Sequence, residues 1–201
     1  MIARLLQGRS TVVLLPTGGG KSLTYQYSGM LLPGMTIIVD PLIALMIDQV
    51  DNLRGFAIDM VAAITSIMET QDRERVIGQM GAGDLAFVFI SPERLQSEDF
   101  RQRLQDVAAR LPISLAVVDE AHCVSEWGHD FRPSYLHMTH NLQKFCASAA
   151  SKPTLVALTG TASFAVLTDI QAELGITDES AIVLLDPSTE KNSLSRGARA
   201  S

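Results

Sequence analysis

An apolar run that ends abruptly in two acids constrains the fold of this chain more than any other stretch. Five of the six residues from Ile113 to Val118 are apolar, and Asp119 and Glu120 follow directly. Such a run is typical of a strand buried on both faces of a parallel sheet. Because burying adjacent unpaired carboxylates is costly, the run indicates a strand end that opens into a site for a cation or a hydrolytic water. Taken alone, the stretch favours a plainer alternative, a surface Asp-Glu pair at a strand-to-loop junction.

A glycine-rich loop lies between a β-branched run, Thr11 to Leu15, and a helical pattern, Leu23 to Leu32. Glycines let backbone N–H groups turn toward a phosphate, and the following helix adds its positive N-terminal end. In such loops a lysine, here Lys21, reaches the terminal phosphates, and a hydroxyl, here Ser22, ligates magnesium. The strict phosphate-loop pattern has glycine where this chain has Leu15, so the chain matches a shorter form of that pattern. The loop consists of Thr17, Gly18, Gly19, Gly20, Lys21 and Ser22.

Together the two stretches predict nucleoside triphosphate hydrolysis. Ser22 and Asp119 would hold Mg²⁺ directly or through water, while Lys21 and the loop amides would bind the β- and γ-phosphates. Glu120 would orient and polarise the attacking water. This prediction requires the loop and the acids to meet at neighbouring strand ends.

Composition limits the number of domains and the kinds of binding site that this chain can have. With 201 residues, 47% of them hydrophobic, the chain can build one core and is expected to form one domain. A net charge of −6 argues against a wholly basic nucleic-acid-binding surface, so any DNA contact would be local. Cys123 and Cys146 are too few and too far apart for a zinc knuckle or a disulfide scaffold, which fits a reducing compartment. No apolar run reaches the roughly 18 residues that span a bilayer, so a soluble intracellular protein without membrane contact is expected.

Strand and helix patterns alternate along the chain, which predicts an α/β fold with a doubly wound, mostly parallel sheet flanked by helices. The domain is expected to cover residues 1–185, and the Ser-, Arg-, Ala- and Gly-rich stretch 186–201 to form a flexible tail or the start of a linker. The predicted strands are Thr11–Leu15, Met35–Asp40, Ala57–Ile64, Leu85–Ile90, Ile113–Val118, Thr154–Leu158 and Ile182–Leu185. The predicted helices are Met1–Gln7, Lys21–Leu32, Pro41–Arg54, Thr70–Met80, Glu98–Leu111, Ser134–Ser148 and Ser163–Leu174.

Several motifs, in this order, resemble those of the RecQ-like superfamily 2 (DEAH-box) DNA helicases. They read PTGGGKSLTYQ, DPLIALMIDQVDNLR, FISPERL, DEAHCVSEWGHDFRPSY and ALTGTAS. The resemblance covers Met1 to Leu185 and corresponds to the first RecA-like lobe of such enzymes, a P-loop NTPase domain. It implies ATP and Mg²⁺ as cofactors, and single-stranded and duplex DNA as partners.

The resemblance assigns roles around the DEAH motif. His122 is similar to the histidine that couples nucleotide state to a partner lobe; the alternative is an imidazole facing that lobe without a mechanical role. The loop after the motif links single-stranded DNA contact to hydrolysis in the family, and base stacking on its aromatic rings would be independent of sequence. The alternative is that Trp127 simply packs over the edge of the core. The residues of this loop are Trp127, His129, Phe131 and Arg132.

Further loops resemble segments that contact the DNA backbone. Pro41 and Leu42 start a helix whose amides would meet a phosphate. Asp40 replaces a small hydroxyl residue and would weaken that contact unless it caps the helix. Ile47 also replaces a residue that is often basic. These two departures leave the strength of DNA binding open.

Two more loops complete the resemblance. Ser66 and Arg94 lie in loops of the backbone-contacting kind, and Arg94 is either a phosphate ligand or a brace to Glu93 within its own loop. Thr159 and Thr161 resemble the hydroxyl-rich motif that links hydrolysis to movement, with Gly160 in place of alanine. Alternatively Thr161 or Ser163 only caps a helix.

The family also has parts that this chain does not show. An upstream motif that contacts adenine and a second RecA-like lobe with arginine fingers are expected to be missing, and no zinc site is expected in this segment. When the second lobe is present, the resemblance implies ATP-driven 3′ to 5′ DNA unwinding in repair or recombination, in the bacterial nucleoid or a nucleus. The isolated chain would bind nucleotide weakly and unwind nothing.

Two other function classes stay open. One is a truncated, non-catalytic module that binds nucleotide or docks a partner; the intact Lys21, Ser22, Asp119 and Glu120 argue against it. The other is a P-loop phosphotransferase, which would need an acceptor pocket and an arginine-bearing lid. Stimulation of hydrolysis by DNA would separate a helicase from a phosphotransferase.

Overall fold

Seven strands form one sheet in the computed structural model, which describes residues 1–16, 18–125, 135, 138–149, 151–178 and 180–184. The strands are β1 (Thr11–Leu14), β2 (Met35–Val39), β3 (Val61–Ile64), β4 (Phe87–Ile90), β5 (Ile113–Val118), β6 (Thr154–Thr159) and β7 (Ile182–Leu184). The helices are α1 (Ile2–Leu6), α2 (Lys21–Leu31), α3 (Ile43–Gly55), α4 (Thr70–Ala82), α5 (Glu98–Ala108), α6 (Met138–Phe145) and α7 (Phe164–Glu173). Short 3₁₀ helices span Pro92–Gln96 and Ala121–Val124.

The strand order is β3-β4-β2-β5-β6-β1-β7, and every pairing is parallel. The chain runs from β1 outward to β3 through α2 and α3, then returns across the sheet through α4 to α7. Because crossovers between parallel strands are right-handed, this reversal puts the two sets of helices on opposite faces. The predicted doubly wound α/β fold is therefore confirmed, with a sheet that is parallel throughout its described strands.

Burial explains why the central strands are almost wholly apolar. The side chains of β5 alternate between two hydrophobic clusters: Leu115 and Val117 face α2 and α3, whereas Ala116 and Val118 face the helices on the other side. A strand covered on both faces needs apolar residues at nearly every position. The run that precedes Asp119 is such a strand, as its sequence predicted.

Some element boundaries differ from the prediction. The strand predicted from Ala57 begins only at Val61, because Ala57 has a φ of 60° and belongs to the turn that ends α3. The helix predicted to end at Arg54 has Gly55 as its last residue, and although glycine best tolerates a left-handed backbone, that position falls on Ala57. The helix predicted from Pro41 begins at Ile43.

The predicted tail, residues 186–201, and Leu185 lie outside the described residues. Among the residues that the structure describes, no helix has the length and apolar character needed to cross a membrane.

Candidate functional site

The predicted phosphate loop joins the carboxyl end of β1 to the start of α2. Gly18 and Gly20 have φ angles of +78° and +82°, a left-handed backbone that favours glycine. The amide of Gly19 donates to the carbonyl of Pro16 at 2.9 Å, which closes the turn. Because no side chain of the described residues caps the N-terminus of α2, its first-turn N–H groups are available to an anion. Thr17, predicted to bind the cofactor, lies outside the described residues.

The structure brings Lys21 to the paired acids that follow β5. Its Nζ lies 2.9 Å from Oε1 of Glu120 and 4.0 Å from Oδ1 of Asp119. The lysine side chain is only 13% exposed, so the pair is poorly screened by solvent. The two stretches on which the sequence prediction depends therefore meet at one edge of the sheet.

Glu120 has an unusual backbone conformation. Its φ and ψ are 47° and 46°, a left-handed geometry that costs a non-glycine residue on the order of 1 kcal/mol or more. Its amide donates to Oδ1 of Asp119 at 2.9 Å, and the 3₁₀ helix Ala121–Val124 begins immediately afterwards. The sharp turn directs the Glu120 carboxylate toward Lys21. Sequence patterns did not predict this 3₁₀ helix.

His122 connects the acidic pair to the carboxyl end of β6. Its Nδ1 lies 3.3 Å from Oε2 of Glu120 and 3.2 Å from Oγ1 of Thr159. The Thr159 hydroxyl donates to the carbonyl of Thr161 at 3.1 Å, so its oxygen can only accept from the imidazole. Since both neighbours of Nδ1 are then acceptors, we assign the ring proton to this nitrogen. A continuous polar path joins Lys21 to Thr161 through these side chains.

The loop after β6 also contains a helix cap. The hydroxyl of Ser163 accepts from the amide of Val166 at 3.3 Å, which caps α7. The capping role considered for Thr161 or Ser163 is thus performed by Ser163, whereas the Thr161 carbonyl receives the Thr159 hydroxyl.

Asp40 adds a third carboxyl group to this edge of the sheet. It is 3% exposed and accepts a 2.8 Å hydrogen bond from the amide of Leu42, just before α3. Burial, with a smaller contribution from Asp119 and Glu120, raises the pKa of Asp40 to about 7. Burial also raises the pKa of Asp119. The contact between Asp40 and the Leu42 amide is a local turn and not a helix cap, because the N-cap residue of α3 is Leu42 and its first turn receives no side-chain cap from the described residues. The cap considered for Asp40 is therefore not formed, and its carboxyl group is poorly compensated.

The loops predicted to contact DNA are only partly described. Pro41 and Leu42 lie between β2 and α3 at the carboxyl edge. The guanidinium of Arg94 donates to the backbone carbonyls of Thr65 and Ser66, both at 2.8 Å. No ion pair within 4 Å joins Arg94 to Glu93, although both are described, so neither predicted arrangement accounts for these contacts. The predicted stacking loop with Trp127, His129, Phe131 and Arg132 lies outside the described residues.

The donor set at the carboxyl edge fits a magnesium–triphosphate complex. A hydroxyl and a carboxylate, Ser22 and Asp119, are hard oxygen ligands of the kind that magnesium prefers. Lys21 and the uncapped amides of α2 supply the positive charge that phosphates require. Sequence reasoning assigned no role to Tyr25, which is buried on α2 beneath these groups. Its position three residues after Ser22, on the same helix face, was the available signal.

The protein families and relatives that this chain resembles are helicases. A model of the DEAD/DEAH box helicase family matches residues 1–170. The probable ATP-dependent DNA helicase RecS of Bacillus subtilis is 43% identical over 170 residues, which cover 85% of this chain and 32% of that protein. The ATP-dependent DNA helicase RecQ of the same species is 39% identical over 174 residues, covering 87% of this chain and 28% of that protein. The chain thus spans about a third or less of the length of these curated relatives.

Solved structures show the same architecture. The helicase domain of Hef from Pyrococcus furiosus has a TM-score of 0.68 at 18% identity, covering 94% of this chain and 38% of that chain. The DUF1998 helicase MrfA bound to DNA has a TM-score of 0.68 at 18% identity, covering 92% of this chain and 24% of that chain. At these identities the likeness shows the fold alone, which is that of a RecA-like helicase domain.

Proposed function

The chain belongs to the DEAD/DEAH box helicase family, and from that premise we propose that it is the ATP-binding motor lobe of a RecQ-like DNA helicase. The family is one of ATP-driven enzymes, and the curated relatives described above are named ATP-dependent DNA helicases. We propose that the lobe covers residues 1–185 and works with a second RecA-like lobe to unwind DNA, moving 3′ to 5′, in repair or recombination. Its place of action would be the nucleoid or nucleus.

The contacts between Lys21 and the two acids support the proposal most directly. The Lys21 ammonium lies 2.9 Å from Glu120 and 4.0 Å from Asp119, although about a hundred residues separate them in sequence. A cation from the phosphate loop facing two acids at the end of a buried strand is the arrangement that triphosphate hydrolysis requires. A surface Asp-Glu pair, the plainer alternative for this stretch, would not have Lys21 as its partner.

In this proposal each residue of the site has a separate role in triphosphate hydrolysis. Lys21 exchanges Glu120 for the terminal phosphates, and the first-turn amides of α2 bind the phosphate oxygens. Ser22 and Asp119 would hold Mg²⁺, which would offset phosphate charge. Once released from Lys21, Glu120 orients a water and accepts its proton as the new oxygen–phosphorus bond forms and the bond to the β-phosphate oxygen breaks.

The contacts of His122 support a route from hydrolysis to movement. Its imidazole contacts both Glu120 and Thr159, so a change at the acid alters a hydrogen bond to the carboxyl end of β6. Thr159 passes that change to the Thr161 carbonyl. DNA would contact the neighbouring loops with Leu42, Ser66 and Arg94.

Nucleotide binding tests the proposal directly. We expect the 201-residue chain to bind a fluorescent ATP analogue in Mg²⁺, and the double variant Lys21→Ala/Asp119→Asn to lose at least 100-fold in affinity. Lys152→Ala is the matched control, because Lys152 precedes β6 at the opposite edge of the sheet. Undiminished binding by the double variant would refute the proposed site.

Unwinding by the isolated chain tests the need for a second lobe. We expect no strand separation from the purified 201-residue chain on a fluorescent forked duplex with ATP and Mg²⁺. Measurable unwinding in that assay would contradict this part of the proposal while leaving the nucleotide site intact.

A further inference from the structure

The hydroxyl group of Tyr25 has no role in the site as proposed. Tyr25 is fully buried, and among the described residues its hydroxyl has no hydrogen-bond partner of acceptable geometry. An unpaired buried hydroxyl costs roughly 1–3 kcal/mol, and the great majority of such groups in native proteins are paired. Phenylalanine would fill the same space without this cost. The hydroxyl therefore calls for an explanation other than packing.

The Tyr25 ring packs in an apolar cluster, whereas two acids lie at the strand ends on the same face of the sheet. Its ring belongs to the hydrophobic cluster that includes Val13, Leu115 and Val117 on the sheet. Asp119 follows β5 at the end of this surface, and its amide donates to the carbonyl of Val39 at 2.9 Å. Since Val39 pairs with Val118, Asp40 and Asp119 are the next residues on adjacent strands, and they alternate onto the face of the sheet that Tyr25 covers.

The charge around the phenol agrees with this placement. Burial is the main cause that raises the pKa of Tyr25, and the negative charges of Asp119 and Asp40 raise this pKa further. Ser22 and Gln26 lie near enough to lower that pKa, yet neither side chain reaches hydrogen-bonding geometry. The phenol thus keeps its proton and is a hydrogen-bond donor beside two carboxyl groups.

We propose that Tyr25 is a positioning residue for the metal end of the nucleotide site, donating a hydrogen bond to Asp119 when this carboxylate and Ser22 hold the magnesium ion of a bound nucleotide. Within the described part of the chain, the Glu120 amide and Lys21 both contact Oδ1 of Asp119, so its other carboxylate oxygen can accept this bond. A group that orients a metal ligand tunes metal affinity without touching the metal. This inference rests on the proposed nucleotide site.

Tyr25→Phe isolates the hydroxyl, and Tyr27→Phe is the matched control because Tyr27 lies on the same helix and is 48% exposed. The affinity of each protein for fluorescent ADP is measured in Mg²⁺ and in EDTA, together with its melting temperature. For Tyr25→Phe we expect unchanged affinity in EDTA and an approximately tenfold smaller gain from Mg²⁺. We also expect a higher melting temperature, because an unpaired buried polar group is removed. Tyr27→Phe should change none of these values.

The possible results separate this inference from the proposed function. A full Mg²⁺ gain in Tyr25→Phe overturns the inference, and so does an equal loss of affinity in Mg²⁺ and EDTA, which would mean a merely structural role. A wild-type chain that binds ADP no better in Mg²⁺ than in EDTA would instead reject the metal site itself.

Discussion

At the amino edge of the sheet, Asp178 accepts hydrogen bonds from Ser180, Arg9 and Arg4, and these contacts lower the pKa of its carboxyl group. At the carboxyl edge, burial raises the pKa of Asp40 to about 7 and also raises that of Asp119. The same kind of side chain is thus fully compensated at one edge and poorly compensated at the other. Compensated charges stabilise the folded chain by themselves, whereas uncompensated ones reduce stability until a ligand supplies the missing charge.

The comparison is tested most strongly by Asp40→Asn. Because the pKa of Asp40 is raised in the folded protein, the stability associated with its protonated form is present below about pH 4 and lost as the pH rises through about 7. The asparagine keeps an acceptor for the Leu42 amide and carries no charge. We expect the free energy of unfolding at pH 8, from urea denaturation, to rise by about 2–4 kcal/mol.

The gain from Asp40→Asn should shrink to about 0.5 kcal/mol or less near pH 4, where the wild-type carboxyl group is protonated in the folded state and about half protonated in the unfolded state. Asp48→Asn, on the exposed face of α3, is the control and should show no such pH dependence. An equal gain at pH 4 and pH 8 would show that charge is not the cause.

Lys21→Met is the second test, because it removes the one cation that contacts both acids among the described residues. We expect a loss of about 1–3 kcal/mol in unfolding free energy at pH 8, since Glu120 and Asp119 lose their partner. The loss should shrink as the pH falls and the Asp119 carboxylate, whose pKa is raised by burial, takes up a proton. Arg9→Met, at the more exposed pair with Asp178, should cost about 1 kcal/mol or less. Equal losses would remove the contrast between the edges.

Arg94→Lys sharpens the comparison, because Arg94 is a charged residue near the carboxyl edge that is satisfied within the chain. Lysine keeps the charge but cannot donate to the Thr65 and Ser66 carbonyls in a fork. If Arg94 holds this loop for DNA, Arg94→Lys and Arg94→Ala should weaken binding of a single-stranded oligonucleotide equally. The salt dependence of binding should then be unchanged.

A direct phosphate contact gives the opposite pattern. Arg94→Lys would then bind like the wild type, and Arg94→Ala would reduce the slope of log K against log salt by about 0.7. Arg101→Lys is the matched control, because Arg101 also donates to two backbone carbonyls, those of Leu95 and Gln96.

Asp178→Asn should have the smallest effect. Because the pKa of Asp178 is lowered, its contribution to stability is present above about pH 4 and is lost as the pH falls through its folded-state pKa. We expect the melting temperature at pH 7 to fall by about 1–3 °C, and the difference from the wild type to disappear in strong acid. A stabilising effect at pH 7 would show that this edge also carries an uncompensated charge.

Most elements and the meeting of the two motifs could be predicted from the sequence. Apolar runs such as Ile113 to Val118 record burial locally, and a parallel sheet brings its strand ends to one edge. The left-handed turn at Ala57 could not be predicted, because Gly55 offered the stronger local signal. The contacts of Arg94 were also missed, since its carbonyl partners lie 28 and 29 residues away and carry no side-chain signature.

The polar cluster beneath the site was missed for a related reason. Tyr25 on a helix with a buried face predicts core packing. Its place one turn after Ser22 indicates that it lies near the phosphate loop, but not that the ring ends beside Asp40 and Asp119. That proximity depends on the register between β2 and β5, which sequence periodicity does not fix. A strand pattern shows which residues face a helix, but not which strand lies next to which.

The left-handed backbone at Glu120 affects which residues would replace this glutamate if only folding were selected. Glycine or asparagine adopts that geometry with less cost, so folding alone would favour either residue at this position. In a library of variants chosen only for soluble expression, we expect position 120 to lose its carboxylate early. A glutamate that persists there marks a lineage still selected for what the acid does.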